Sequence, residues 1–283
     1  MNSAAKKKAF SLMELLVVMG IIAILVGLSM PALNALQKSY DSTGSESMIE
    51  SALSTARTLA ISNKTYAGVR FQKAYNKNGS QIDADQYMIF IVYGGHDITT
   101  LDCGFYAAVG YKPIKLPSKV SVMDKIVRKY TPGSTPKKCD FTLVEGDLIA
   151  NELDDSDSAN QDPEGNNMNI TDTSAFSIVF SPAGKLVIYK LRCRNKDGAS
   201  RNINSSDDDV FNTKYNVSKD PPTGRFVQDD FDDFGIGVEN SRKSFVIYDR
   251  DKFKTMTDSL QRKKYLDSLK IIYINPYTGE IIK

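Results

Sequence analysis

The sequence predicts an α+β protein in which one long N-terminal helix, with a membrane half and an amphipathic half, packs on an antiparallel β-sheet. Three observations predict it. Leu15–Leu36 contains no charged residue, long enough to cross a bilayer core about 30 Å thick as one helix. Met48, Ile49, Ala52, Leu53, Ala56, Leu59 and Ala60 then recur at spacings of three and four, the mark of a helix with one buried face. Beyond Ser62 the chain changes to short apolar runs punctuated by glycine and proline, which read as strands and turns.

The first element starts behind Lys6, Lys7 and Lys8, and this basic flank places the N-terminus on the cytoplasmic side. Glu14 breaks the apolar pattern, and a carboxylate at the membrane centre costs roughly 2.5–3.5 kcal/mol on insertion scales. A cleaved secretory signal fits poorly, because cuts after Ala32 or Ala35 put Met30 or Leu33 where a small residue is needed. A plain anchor gives no reason for Glu14. Gly20, Ala23 and Gly27 share one helical face, a spacing equally expected from ordinary glycine usage in a membrane span. Pro31 and Gly44 are weak points of a helix that otherwise runs from Phe10 to about Ser62, about 80 Å at 1.5 Å per residue.

The body reads as β. Tyr66–Phe71 alternates and Tyr87–Tyr93 is a continuous apolar run. Phe176–Phe180 and Lys185–Arg194 flank the turn Ser181-Pro-Ala-Gly184. Ser244–Tyr248 is a further strand, and Lys270–Asn275 with Glu280–Ile282 surrounds the turn Pro276-Tyr-Thr-Gly279. Asp251–Leu269 has helical periodicity, with Phe253, Met256, Leu260 and Leu266 as its apolar contacts. Two polar insertions, near 150–170 and 195–235, read as solvated loops.

The residues K-K-A-F-S-L-M-E-L, the apolar run behind them and Pro31 resemble the N-terminus of type IV pilins and pseudopilins. The resemblance implies a pilin fold and a structural protein, not an enzyme. It also implies that prepilin peptidase cuts between Ala9 and Phe10 and methylates the new amine of Phe10. Ala9 departs from the glycine usual before the cut, but is still small. Glu14 would become the fifth residue of the mature chain and pair with a neighbouring subunit's amine, and Pro31 falls at the family's helix-kinking position. The implied divisions are a leader over 1–9, a membrane and filament-core helix over 10–36 and an amphipathic helix over 37–63. A periplasmic globular domain follows over 64–283. The implied partners are prepilin peptidase, other pilin or pseudopilin subunits, the inner-membrane assembly platform and the membrane itself. Ser51–Phe71 and Ile178–Tyr189 are similar to the GspH/FimT group of minor pseudopilins, although Gln72–Asn169 is longer than that group leads one to expect.

Other chemistry is poorly supported. The lone histidine, His96, sits in a Gly-Gly-His-Asp turn and reads as a loop residue; no phosphate loop or dinucleotide glycine pattern occurs. Asp154–Glu164, Asp207–Asp209 and Asp229–Asp233 are rich in hard oxygen ligands, which suit calcium. Asp155–Asn160 lacks the sixth-position glycine and twelfth-position acid of an EF-hand loop, so a solvated acidic surface is the favoured reading and no cofactor is expected. Removing Met1–Ala9 takes away three of 36 basic residues and no acid, leaving 33 against 34. That balance argues against nucleic acid as a partner. The exception is Ser241–Tyr265, where Arg242, Lys243, Arg250, Lys252, Lys254, Arg262, Lys263 and Lys264 interleave with Phe245, Tyr248, Phe253 and Tyr265. A tip subunit for DNA uptake or adhesion is the alternative that this region keeps open; a strand and helix with aromatic residues inward and lysines outward is favoured. Of three cysteines, Cys193 lies on the apolar strand face of Val187, Tyr189 and Leu191 and reads as a buried thiol, leaving Cys103 and Cys139 as the better disulfide pair.

Overall fold

A computed structural model describes residues 12–76, 84–95, 104–124, 128–129, 168–169, 174–188, 190–191, 193–194, 210–212, 214–227, 239–256 and 259–282, with the side chains of 14, 23–24, 26–42, 128–129, 168–169, 190, 214–215, 239–240, 259–260 and 263 outside that description. The chain divides into two compact units, Met1–Gly44 and Ser45–Lys283. Helix α1 (Leu12–Asn63) supplies all of the described backbone of the first unit and the first element of the second, and both Pro31 and Gly44 lie within its span. It ends where Lys64 adopts φ +51°. The amides of Lys64 and Thr65 then close back on the carbonyls of Ile61 and Ala60, which satisfies those two carbonyls of the last turn.

The strands follow as β1 (Ala67–Lys73), β2 (Gln86–Tyr93), β3 (Phe105–Ala107), β4 (Ile114–Lys115), β5 (Val120–Met123), β6 (Arg128–Lys129), β7 (Met168–Asn169) and β8 (Phe176–Phe180). Then come β9 (Leu186–Val187), β10 (Lys190–Leu191), β11 (Phe211–Asn212), the short helix α2 (Lys214–Val217), β12 (Phe226–Val227) and β13 (Glu239–Asn240). The chain closes with β14 (Ser244–Asp249), α3 (Arg250–Thr255), α4 (Ser259–Ser268), β15 (Ile271–Ile274) and β16 (Ile281–Ile282).

The α+β class is as expected, but the β-structure is two main sheets, not one. The first has the order β3-β2-β1-β8-β9, with β4 also paired to β2, and the second has the order β16-β15-β14-β5. Among the pairs joining these strands all are antiparallel, while the small pair β11–β12 is parallel. Period-two alternation sends Val69 and Phe71 of β1, Phe176, Ile178 and Phe180 of β8, and Phe245 of β14 into one core with Ile49, Leu53, Ala56 and Ala60 of α1. Phe71 stacks on Phe176 with centroids 4.8 Å apart and lies 6.1 Å from Phe245, so one ring ties both sheets to the helix.

The opposite faces are covered too. Behind the first sheet, Ile89, Ile91, Phe105, Val179 and Leu191 pack with Phe211 and Phe226. Behind the second, Met123, Val246 and Tyr248 pack with Phe253 of α3 and Leu266 of α4. Within the insertion expected as a solvated loop near 195–235, the described residues 210–212 and 214–227 are a packed segment, with Phe211, Val217, Phe226 and Val227 buried; the rest of that range lies outside the described residues. The segment is held by Gln72 Nε2 donating to the Val227 carbonyl at 2.8 Å and the Tyr75 amide donating to the Arg225 carbonyl at 3.1 Å. Its few apolar residues are spaced too widely to produce a period. The insertion near 150–170 lies outside the described residues except for β7.

Two further expectations change. Asp251–Leu269 is two helices, because Met256 turns extended at φ −85°, ψ 114° and ends α3. Buried Arg262 occupies the break, its Nε donating to the Met256 carbonyl at 2.8 Å and its guanidinium lying 5.2 Å from the Phe253 ring centre. The strand expected over Lys185–Arg194 divides as well: β9 pairs with β8, whereas β10 pairs with β13.

Candidate functional site

The residues that carry the functional reading lie at the N-terminal end. Ala9 and Phe10 lie outside the described residues, and Glu14 is placed on α1 by its backbone alone. Around it α1 presents large apolar side chains in every direction. Leu12 is 82% exposed, and Met13, Leu15, Leu16, Val17, Val18, Met19, Ile21, Ile22 and Leu25 are all exposed with it. Consecutive exposed positions on a 3.6-residue helix cover its whole circumference, and a helix apolar all round is stable only when lipid or other helices surround it. Among the described residues no helix is long and apolar enough to cross a membrane. The membrane helix expected over 10–36 is therefore not one of the described features, since the side chains of most of its second half are outside them.

Residues 4–30 match the model of the prokaryotic N-terminal methylation motif. In this segment the chain is type IV pilin-like. A motif of this kind implies a prepilin peptidase substrate with a structural role that assembles with other pilins. The match ends at residue 30 and leaves the body without an assigned family. No curated protein and no solved structure matches the chain.

The remaining candidates are placed as follows. His96, Cys103, Cys139 and the acidic stretches Asp154–Glu164, Asp207–Asp209 and Asp229–Asp233 lie outside the described residues. Among the described residues no three His, Cys, Asp or Glu side chains gather as metal ligands. Cys193 is buried, its Sγ 3.7 Å from Ser177 Oγ. In the basic region Phe245, Tyr248 and Phe253 are buried, so they present no ring faces to a base. Its arginines are also turned inward. Arg242 pairs with Asp124, both nearly sealed from solvent, and Arg250 Nη1 donates to the Ala84 carbonyl at 2.9 Å while lying 3.6 Å from Asp85. Lys252, Lys254 and Lys264 are exposed, with Lys252 Nζ 4.6 Å from the Tyr265 ring centre.

One arrangement had no sequence signal beyond its glycines. The turns Ser181–Gly184 and Pro276–Gly279 both close on Arg57 of α1. Arg57 Nε donates to the Gly184 carbonyl at 2.8 Å, and the Leu186 amide donates to the Pro276 carbonyl at 2.8 Å, joining the two hairpins.

Proposed function

We propose that this chain is a minor structural subunit of a type II secretion pseudopilus or type IV pilus. In this reading it resides in the bacterial inner membrane by a single helix over residues 10–36, with the leader cytoplasmic and residues 64–283 periplasmic. Prepilin peptidase cuts between Ala9 and Phe10 and methylates Phe10, and the Glu14 carboxylate then neutralises the Phe10 ammonium of an adjacent subunit. Pro31 bends the helix, and the α+β body is a pilin fold of the GspH/FimT kind. The observation that carries the reading is the methylation motif at residues 4–30 on a helix with exposed apolar side chains all round. An amine and a carboxylate meeting inside lipid offset each other's desolvation, which gives Glu14 a purpose that a plain anchor lacks. The size of the body supports a minor position, because its insertions would have to fit at every lattice point of a filament built from it.

Two measurements test this. The intact mass of membrane-extracted protein should correspond to a chain starting at methylated Phe10; a start at Met1, or beyond Leu28, overturns the processing step. Glu14→Leu should insert normally, since insertion becomes cheaper by roughly 2–3 kcal/mol, yet co-purify with filaments at a small fraction of the wild-type level. Normal incorporation of the leucine variant overturns the pairing.

A further inference from the structure

We infer that Ser39–Thr43 is a breakable joint within α1, and that Thr43 and Glu46 are the ready-made N-terminal cap of the shorter helix that remains when it opens. Ser39, Tyr40, Asp41, Ser42, Thr43, Gly44 and Ser45 are seven consecutive weak helix formers, an unusual run for the middle of a 52-residue helix. Serine, threonine and aspartate compete for backbone hydrogen bonds outside the helix, and glycine gains most entropy by leaving it.

Packing does not compensate at the end of this run. Thr43 and Gly44 are exposed, and a Cβ added at Gly44 would meet nothing within 4 Å. Directly after them Ser45 is buried, as are Ile49, Ala52, Leu53, Ala56 and Ala60. The compact unit that contains the sheets begins at the same residue, Ser45. At Thr43 and Gly44, where no side chain is buried, the helix is held by propensity, and there propensity is poor.

The second observation is the spacing Thr43-Gly-Ser-Glu46. A threonine followed three residues later by glutamate is the capping box, in which the hydroxyl accepts from the third amide and the carboxylate accepts from the first. Inside a continuous helix those amides are already bonded to carbonyls four residues back, so the box is redundant. It can cap a helix only when the helix starts at Gly44. Opening Ser39–Thr43 from helix to extended chain lengthens that stretch by roughly 9 Å, from 1.5 to about 3.3 Å per residue, without disturbing the packed turns beyond Ser45. The joint depends on the described helix and not on the assembly reading.

Amide hydrogen exchange on the full chain in detergent micelles tests it. Amides of Tyr40–Gly44 should exchange at least about tenfold faster than those of Ile49–Ala60, which sit under the core. Thr43→Val keeps the shape and nearly the helix propensity but removes the cap acceptor, so exchange of Tyr40–Gly44 should slow about fivefold, whereas Thr43→Ser should leave it unchanged. Gly44→Ala has room for its methyl group and should slow it by a similar factor. Equal protection along α1, or a Thr43→Val variant that exchanges as fast as wild type, overturns the joint and its cap.

Discussion

Gln86 joins the two sheets with one amide. It stands at the start of β2, is 1% exposed, and reaches β5 of the other sheet. Its Oε1 accepts from the Val122 amide at 2.6 Å, and its Nε2 donates to the carbonyls of Val122 and Ser174, each at 2.8 Å. A side-chain amide thus pairs with β5 as a neighbouring strand would, along the edge that β14 leaves open. Gln86→Leu fits the volume but strands one buried N–H and two carbonyls, each worth about 1–3 kcal/mol when left unsatisfied. Denaturant unfolding of the full chain in detergent should show a loss of about 3 kcal/mol or more, and a loss below about 1 kcal/mol would show that the joint is held elsewhere. Cys193 tests the strand faces in the same way. Leu191 and Cys193 point inward while Ile188 is 53% exposed, the alternation expected of this stretch. The native protein should therefore resist alkylation at Cys193 until unfolded. Non-reducing digestion should yield a Cys103–Cys139 linked peptide, and a linkage through Cys193 would refute the pairing.

Among the elements, the two glycine hairpins differ in kind from the other turns because they close against α1. Gly184 and Gly279 have φ of +72° and +73°, and a Cβ at Gly279 would lie 2.9 Å from Phe180 Cε1 and 3.1 Å from Arg57 Cδ. Gly110 has φ +86° with nothing within 4 Å of its Cβ position. The pair separates backbone strain from packing. Gly110→Ala should cost about 1 kcal/mol, the left-handed penalty alone, and Gly279→Ala about 2–3 kcal/mol as the ring and guanidinium are displaced. Equal costs in thermal unfolding would mean the terminal hairpin is not clamped. Both turns were legible from the Ser-Pro-Ala-Gly and Pro-Tyr-Thr-Gly spacings. Their common seat on Arg57 was not, because nothing local links residues 57, 184 and 279. The break at Met256 was hidden for a related reason: the apolar spacing of Phe253, Met256 and Leu266 continues through it, and the arginine that fills the gap, Arg262, is a residue type ordinarily read as exposed.

For the whole molecule, the distribution of charge bears on the choice between a structural subunit and a nucleic-acid binder. Without Met1–Ala9 the chain is nearly neutral, and all three arginines of Ser241–Tyr265, Arg242, Arg250 and Arg262, are buried against protein partners. What is left outside is a set of lysines beside Asp249, Asp251 and Asp267, which dilute their field. A soluble form beginning near Ser39 should bind single-stranded DNA weakly, with binding lost by physiological salt. Binding that persists there, and falls when Lys252, Lys254 and Lys264 become alanine, would move the function to DNA uptake at a filament tip.

The sequence by itself determined the local and periodic features: the methylation motif, the uncharged run behind it, the amphipathic turns from Met48 to Ala60, the strand cores and the positions of both hairpin turns. Each depends on residues close together in the chain, so period and spacing reveal it. Only the tertiary structure decided that the strands form two sheets rather than one and that β1 is buried on both faces, Arg70 and Gln72 included. It also decided that residues 210–227 fold into a packed cover. These outcomes depend on contacts across more than 100 residues, such as Gln72 with Val227 and Arg70 Nη1 with Ser177 Oγ at 3.2 Å. A polar side chain on a strand reads as solvent-facing until a distant segment arrives to cover it, and no period in the sequence records that arrival.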